Sequence, residues 1–328
     1  MNGTLFNLGI DVGGTNIKFC VADDCGTIVS RHRIRTNAEA GNNALARSIA
    51  DNIGVVLQLT DMGIADVNSI GIGIPGTVDS RSGTVLFAPN IFVANFELVK
   101  ALHIAYDVPV FAAQDTRAAA WGEYLVGAGK GLSSIAIVTL GTGIGCGMVI
   151  DGQILNGALN TAGEFGHQIV EVDGDPCNCG RNGCLEAYAG GLAILRRARQ
   201  SIPKLSTLLG KSVECVSVEG VFELAKLGNG EAMRIVESVV KYVGIGVVNL
   251  VNIMSPELVC ISGGICNAPD DLLLNPLADF VRKNVYPPIS DDVKICKSLL
   301  GGDAPLIGAT LLYKDAAAHN LFQVWAAK

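Results

Sequence analysis

His167, Cys177, Cys179 and Cys184 bring one imidazole and three thiols into a short stretch of chain. Zinc in structural sites takes four nitrogen or sulfur ligands tetrahedrally, and closely spaced cysteines let one tight turn deliver several thiolates. Gly180 and Gly183 suit such a turn, because glycine takes positive φ at little steric cost. The set reads as a Cys3His zinc site; the alternative is a disulfide between two of the cysteines with the third left free. Four protein ligands leave zinc no open position for an activated water, so such a metal would be a structural clip.

Two glycine-rich segments could bind phosphate: Asp11-Val12-Gly13-Gly14-Thr15-Asn16-Ile17-Lys18 and Gly141-Thr142-Gly143-Ile144-Gly145. Bare backbone N–H groups in such turns can approach phosphate oxygens closely. Neither fits the P-loop pattern or the strand-to-helix dinucleotide fingerprint. Either turn alone could be mere structure; two of them, with Gly263-Gly264 after another apolar run, point to a nucleotide. Asp115 could be a general base or the N-cap of the helix that follows it. Glu164 and Glu186 flank the cysteine cluster and could accept hydrogen bonds from vicinal hydroxyls, as in a sugar site, or orient His167 or Arg181. Asn90, after Pro89, could touch a ligand or simply turn the chain. His32, His103 and His319 read as surface or packing residues, as do Trp121 and Trp325.

These residues must be held by an α/β framework. A strand over 5–10 and another over 19–22 flank the first glycine turn, and a helix covers about 41–59. Strands are expected over 70–74 and 108–112, the latter delivering Gln114-Asp115 to a helix that contains Trp121. A strand over 134–140, the second glycine turn and a strand over 148–150 repeat the opening pattern, which suggests an internal duplication. Val236, Val240, Val243, Val247 and Val251 mark a buried core helix. It leads to a strand over 258–262, and a helix from about Ala309 closes the chain. The expected division is a small α/β domain over 1–121, joined by the last helix (309–328), and a large α/β domain over 122–308 carrying the zinc loop. In open α/β sheets, ligands sit at the carboxyl ends of strands.

Composition narrows the function. The chain has 328 residues, 49% of them hydrophobic and 17% charged, with a formal net charge of −7. That is enough apolar content for a sizeable core, and the absence of like-charge blocks argues against disorder. A net acidic chain is a poor partner for nucleic acid. The basic groups Arg31 to Arg35 and Arg196 to Arg199 read as solvated surface. No signal peptide is read in the first residues and no apolar run has membrane-spanning length, so a cytoplasmic location is expected. There the seven cysteines outside the cluster, Cys20, Cys25, Cys146, Cys215, Cys260, Cys266 and Cys296, would stay reduced.

Taken together, these motifs resemble the ROK family of bacterial sugar kinases and repressors, across nearly the whole chain. The segment 11–18 resembles the family's first phosphate motif, 141–145 its second, Ser262-Gly263-Gly264 its adenosine motif, and Glu164-Phe165-Gly166-His167 with Cys177 to Glu186 its sugar and zinc signature. The resemblance implies a two-domain α/β fold of the actin/hexokinase ATPase type with duplicated mixed-sheet domains, and an ATP-dependent hexose 6-kinase using Mg2+ and structural Zn2+. It implies that Asp115 is the catalytic base, that Asp11 helps hold Mg2+, and that Gly13, Gly14, Thr15, Gly141, Thr142 and Gly143 cradle phosphates. Gly263 and Gly264 would face adenosine, and Asn90, Asp115, Glu164, His167 and Glu186 the sugar. His167 would give its other ring nitrogen to zinc; Lys18 would contact phosphate or support its turn.

Ten residues precede Asp11, which leaves no room for the helix-turn-helix domain of the repressors, so a kinase is expected. Gln114, Arg117 and the segment 91–96 depart from the family pattern beside the sugar pocket. Glucose is the first candidate, with allose, mannose, fructose and N-acetylhexosamines open. A regulatory sugar-binding protein without turnover is the rival. A homodimer or tetramer is implied by resemblance alone. Removal of zinc is expected to weaken sugar binding before nucleotide binding.

Overall fold

The apolar run of β1 (Phe6–Val12) ends in the first glycine turn, which sends the chain back as β2 (Asn16–Asp23), antiparallel to β1 with Asp11 opposite Lys18. β3 (Ile28–Arg35) continues the meander, and Arg31, Arg33 and Arg35 are exposed on it. Helix α1 (Asn42–Gln58) buries Leu45, Ile49, Ile53, Val56 and Leu57 at helical spacing. A helical crossover makes the next strand parallel, and β4 (Val67–Ile74) accordingly pairs with β1 on its free side. A small antiparallel sheet follows, from β5 (Thr77–Asp79), β6 (Thr84–Ala88) and β7 (Val93–Phe96). After α2 (Leu98–Ala105), β8 (Val110–Gln114) joins β4 in parallel and completes a five-stranded sheet of order β3-β2-β1-β4-β8. Helix α3 (Asp115–Val126) begins at the next residue.

This computed structural model describes residues 5–37, 41–201 and 217–318. Cys215, His319, Trp325 and the part of the expected last helix beyond 318 lie outside them. The chain divides into two units, Met1–Ser134 with Gly147–Ala162 and Asp303–Lys328, and Ile135–Cys146 with Gly163–Gly302.

From Ile135 onward the chain repeats the opening theme. β9 (Ile135–Leu140) runs into the second glycine turn and β10 (Ile144–Ile150), while β11 (Gln153–Ile154) forms a short hairpin with the end of β10. Helices α4 (Glu186–Ala189), α5 (Gly191–Ser201), α6 (Val218–Lys226) and α7 (Gly230–Met254) follow. β12 (Leu258–Ser262) then pairs in parallel with β9. After α8 (Leu274–Asn284), β13 (Lys294–Lys297) pairs in parallel with the other side of β12. β1 therefore sits between β2 and a parallel β4, and β9 between β10 and a parallel β12.

The valine stripe of α7 is buried as its spacing requires: Val236, Val240, Val243, Val247 and Val251 all lie in the core. Each contributes on the order of 1.5–3 kcal/mol of apolar burial. α7 is long and apolar enough to cross a membrane, but 61% of its most apolar window is buried inside the chain, as in a core helix.

The last helix differs from the sequence reading. It is two helices, α9 (Ala304–Thr310) and α10 (Leu312–Ala318), separated by Leu311 at φ −104°. α9 lies so close to β4 that a Cβ at Gly71 would strike the carbonyl of Ala309. Trp121 is buried on α3 and donates from Nε1 to the carbonyl of Leu311 at 2.7 Å.

Candidate functional site

In the first unit, parallel register gathers two carboxylates. Asp11 on β1 pairs with Gly73 on β4, and Gly73 with Ala113 on β8. Asp11 and Asp115, the latter two residues beyond Ala113, therefore emerge at the carboxyl edge of one sheet, the usual ligand edge of α/β folds. Asp11 is buried, and its Oδ2 accepts from Lys18 Nζ at 3.0 Å. Lys18 thus pairs with the carboxylate beneath the turn. The turn itself is exposed at Gly14 and Thr15. It is braced by Thr36, which donates from Oγ1 to the Gly13 carbonyl at 2.7 Å and from N to the Thr15 carbonyl at 2.9 Å.

Asp115 is not the helix cap. Gln114 holds the cap position, and Asp115 is the first helical residue, its Oδ1 accepting from Thr116 N at 2.7 Å. A carboxylate there is favoured by the helix dipole. Gln114 is buried, and its Oε1 lacks a hydrogen-bond partner among the described residues. Asn90 is exposed in a 3-10 turn after β6, with its carbonyl 3.9 Å from where a Cβ on Gly14 would lie. The chain therefore places Asn90 beside the first glycine turn.

In the second unit the cysteine cluster is assembled. The ligand atoms of His167, Cys177, Cys179 and Cys184 all lie within 4.8 Å of one another. Cys179 and Cys184 Sγ are 3.7 Å apart. Zn–S bonds of about 2.3 Å in a tetrahedron set sulfurs about 3.8 Å apart, so the donor set fits zinc. The three cysteines are free of disulfides. His167 turns Nδ1 toward the cluster, 3.8 Å from Cys177 Sγ. Gly180 and Gly183 have φ of +83° and +77°, the left-handed turns that the spacing anticipates. Burial, then hydrogen bonds with Cys179 and Cys177, push the Cys184 thiol up to about 12. Burial also acts to raise Cys179, but hydrogen bonds from Arg181 N–H and the neighbouring thiols outweigh it and hold that thiol below its ordinary value.

Arg196 and Arg197 correct the reading of that basic group as solvated surface. Arg196 donates to Asp175 at 3.0 Å and to the Ala187 carbonyl at 3.1 Å. Arg197 donates to Ser238 Oγ at 2.7 Å and lies 4.9 Å over the Tyr188 ring, which stacks on Tyr242. Tyr188 in turn accepts from Asp175 N at 2.6 Å. These side chains fix the segment that enters the cluster at Cys177, a framing role with no local sequence signal.

The second glycine turn closes on itself through Gly141 N and the Gly143 carbonyl at 3.0 Å. Glu186 reaches it: Oε2 accepts from Ile144 N at 2.8 Å. Glu164 and His167 are exposed on one 3-10 turn, where His167 N donates to the Glu164 carbonyl at 3.1 Å. Gly263 takes φ +91° at the end of β12, and Gly264 lines a cavity of about 250 Å3 with residues of α6, including Phe222 and Lys226.

Arg117 was singled out as a departure, and the structure gives it an anchoring position. It is 1% exposed. It donates to Asn156 Oδ1 at 3.3 Å and to the carbonyls of Asn160 and Ala162 at 2.8 and 2.9 Å. It thereby ties α3 to the loop after β11.

The chain is similar to known proteins over most of its length. The glucokinase of Halalkalibacterium halodurans is 34% identical over 313 residues, covering 94% of each chain. A ROK family glucokinase from Streptomyces griseus, solved in complex with glucose and AMPPNP, superposes with a TM-score of 0.78 at 33% identity, covering 94% of this chain and 98% of its own. A ROK family transcriptional regulator, a homolog of the E. coli MLC protein, reaches a TM-score of 0.85 at 27% identity, covering 98% and 81%. The fold is the actin/hexokinase ATPase type shared by such kinases. The sequence profile of the ROK family matches residues 7–316, the span that holds both glycine turns, Asp115 and the cysteine cluster, and the chain belongs to that family.

Proposed function

We propose that this chain is an ATP-dependent hexose kinase acting on the 6-hydroxyl, with glucose as the first substrate to test. The observation that carries the reading is the emergence of Asp11 and Asp115 together at the carboxyl edge of one sheet, beside a braced glycine turn. Phosphoryl transfer asks a protein mainly to position reactants and stabilise spread charge. Asp115 would accept the proton from the sugar hydroxyl as its oxygen bonds to the γ-phosphorus. The bond from that phosphorus to the β–γ bridging oxygen breaks, and ADP leaves. Asp11 would help hold Mg2+, which would supply positive charge to offset that of the phosphates.

Gly13, Gly14, Thr15, Gly141, Thr142 and Gly143 would line the phosphates, and Gly263 and Gly264 the adenosine. Asn90, Glu164, His167 and Glu186 would accept or donate hydrogen bonds to sugar hydroxyls. The orphaned Oε1 of Gln114 needs a donor, and a sugar hydroxyl beside Asp115 would supply one. His167, Cys177, Cys179 and Cys184 would hold Zn2+, which would supply a structural clip rather than a reactive centre.

A coupled ADP-release assay across glucose, mannose, fructose, allose and N-acetylhexosamines tests the proposal. Turnover on a hexose is expected; no turnover on any member at millimolar sugar would overturn it. Calorimetric sugar binding without ADP release would instead favour a regulatory protein, the role named for the MLC homolog.

A further inference from the structure

We propose that Glu186 is a positioning residue for the second glycine turn, and that through it the Cys3His cluster sets the affinity for nucleotide phosphates. The inference rests on the kinase reading and deepens it. Three backbone-directed contacts run from one short segment to that turn. Glu186 Oε2 accepts from Ile144 N at 2.8 Å, Gly191 N donates to the Gly141 carbonyl at 2.9 Å, and Leu192 N donates to the Thr142 carbonyl at 3.4 Å. A Cβ on Gly143 would strike Glu186 Oε2, so the carboxylate fills the space that a side chain at 143 would take.

A carboxylate repels phosphate, so Glu186 contributes nothing to a phosphate directly. Its effect is to hold the turn's backbone in one shape before the nucleotide arrives, which lowers the ordering cost of binding. The other end of the same segment is the metal cluster. Cys184 is two residues before Glu186, and its carbonyl accepts from Ala187 N at 3.0 Å. Leu185, between them, is fully buried, and its N donates to the Gln168 carbonyl at 2.9 Å. Cys177 and Asn178 from the cluster loop share one cleft of about 150 Å3 with Thr142 and Glu186. A shift of Cys184 on loss of metal has little slack to absorb it before Glu186 moves. Nucleotide binding should therefore weaken on loss of metal together with the sugar binding that the sequence reading expects to weaken.

The test uses the metal-loaded protein and the variants Glu186→Ala and Glu186→Gln, each checked for zinc content and thermal melting. Calorimetry would measure the Kd of AMPPNP and of the sugar that turnover identifies. Glu186→Ala is expected to weaken AMPPNP about tenfold or more, the cost of one lost hydrogen bond to a charged group, and to weaken sugar as well, since the same side chain would face a sugar hydroxyl. Glu186→Gln keeps an acceptor for Ile144 N and should recover AMPPNP binding to within about threefold of wild type. AMPPNP affinity within about twofold of wild type in Glu186→Ala, or equal losses in both variants, would overturn the assignment.

Amide exchange at Ile144 gives a readout that needs no ligand. It should speed up in Glu186→Ala and, in the wild type, after metal removal verified by metal analysis; unchanged exchange after metal removal would overturn the link to the cluster. A wild-type chain that binds no AMPPNP would overturn the kinase reading, and this inference with it.

Discussion

Replacing Arg117 with methionine removes the guanidinium while keeping most of the aliphatic stem, so it isolates the three hydrogen bonds that tie α3 to the loop after β11. Those bonds, to Asn156 Oδ1 and to the carbonyls of Asn160 and Ala162, span 2.8 to 3.3 Å. A hydrogen bond to a charged group contributes about 1.5–3 kcal/mol, but three sharing one donor group are not additive, and their acceptors are only part-buried. A net cost of about 3 kcal/mol is therefore expected for Arg117→Met. For a domain of about 150–250 residues, each kcal/mol lowers Tm by about 2–4 °C, which predicts a fall of about 6–12 °C. Arg117→Lys keeps the charge but not the planar fork, so it should recover part of that loss.

Differential scanning calorimetry measures the shift. Denaturant unfolding followed by tryptophan fluorescence is a second reading, since Trp121 lies on the same helix. A cost below about 0.5 kcal/mol for Arg117→Met, typical of a surface substitution, would refute the anchoring role.

Other outcomes follow from the same chemistry. Cys179→Ser should reduce bound zinc from one equivalent to a small fraction by metal analysis, because ligation and local folding are coupled. Cys20 is buried, and burial, only partly opposed by a hydrogen bond from Gly9, pushes its thiol up to about 12 from an ordinary 9.0. The raised value means that its contribution to stability is complete below pH 9 and is lost as pH rises toward 12, at up to about 1.4 kcal/mol per pH unit. Cys20→Ala should flatten part of that alkaline slope in urea unfolding; an identical slope would contradict the assignment. Gln114→Asn, which draws the orphaned oxygen back by one methylene, is expected to change kcat/KM ratios among hexoses by about tenfold, read from the same ADP-release panel.

The sequence made the chemistry more legible than its support. The cysteine spacing and the two glycines stated the turn that gathers His167, Cys177, Cys179 and Cys184 almost completely, because a tight turn is a local property. The valine stripe of α7 was equally local, a matter of period alone. Arg117 could be noted as a departure but not placed, since its acceptors at 156, 160 and 162 come from a loop remote in sequence. Arg196 and Arg197 looked like solvated charge for the same reason: Asp175 and Tyr188 meet them only after folding. The single closing helix was expected because its apolar pattern runs unbroken through Leu311, where the backbone departs from helical geometry. Glu186 was read as facing a ligand, and the fold also turns one of its oxygens onto the backbone of a glycine turn 42 residues earlier, a contact with no local sequence signal.

The central claim is that Asp115 takes the proton from a hexose hydroxyl during phosphoryl transfer from ATP. Asp115→Asn keeps the shape and the helix-start position but removes the base. The most direct measurement is kcat for the wild type and this variant on the best hexose of the panel, with calorimetric sugar Kd for both. Loss of a general base predicts a fall in kcat of about 10^2 to 10^4 with sugar Kd nearly unchanged. A variant that turns over at the wild-type rate would contradict the account.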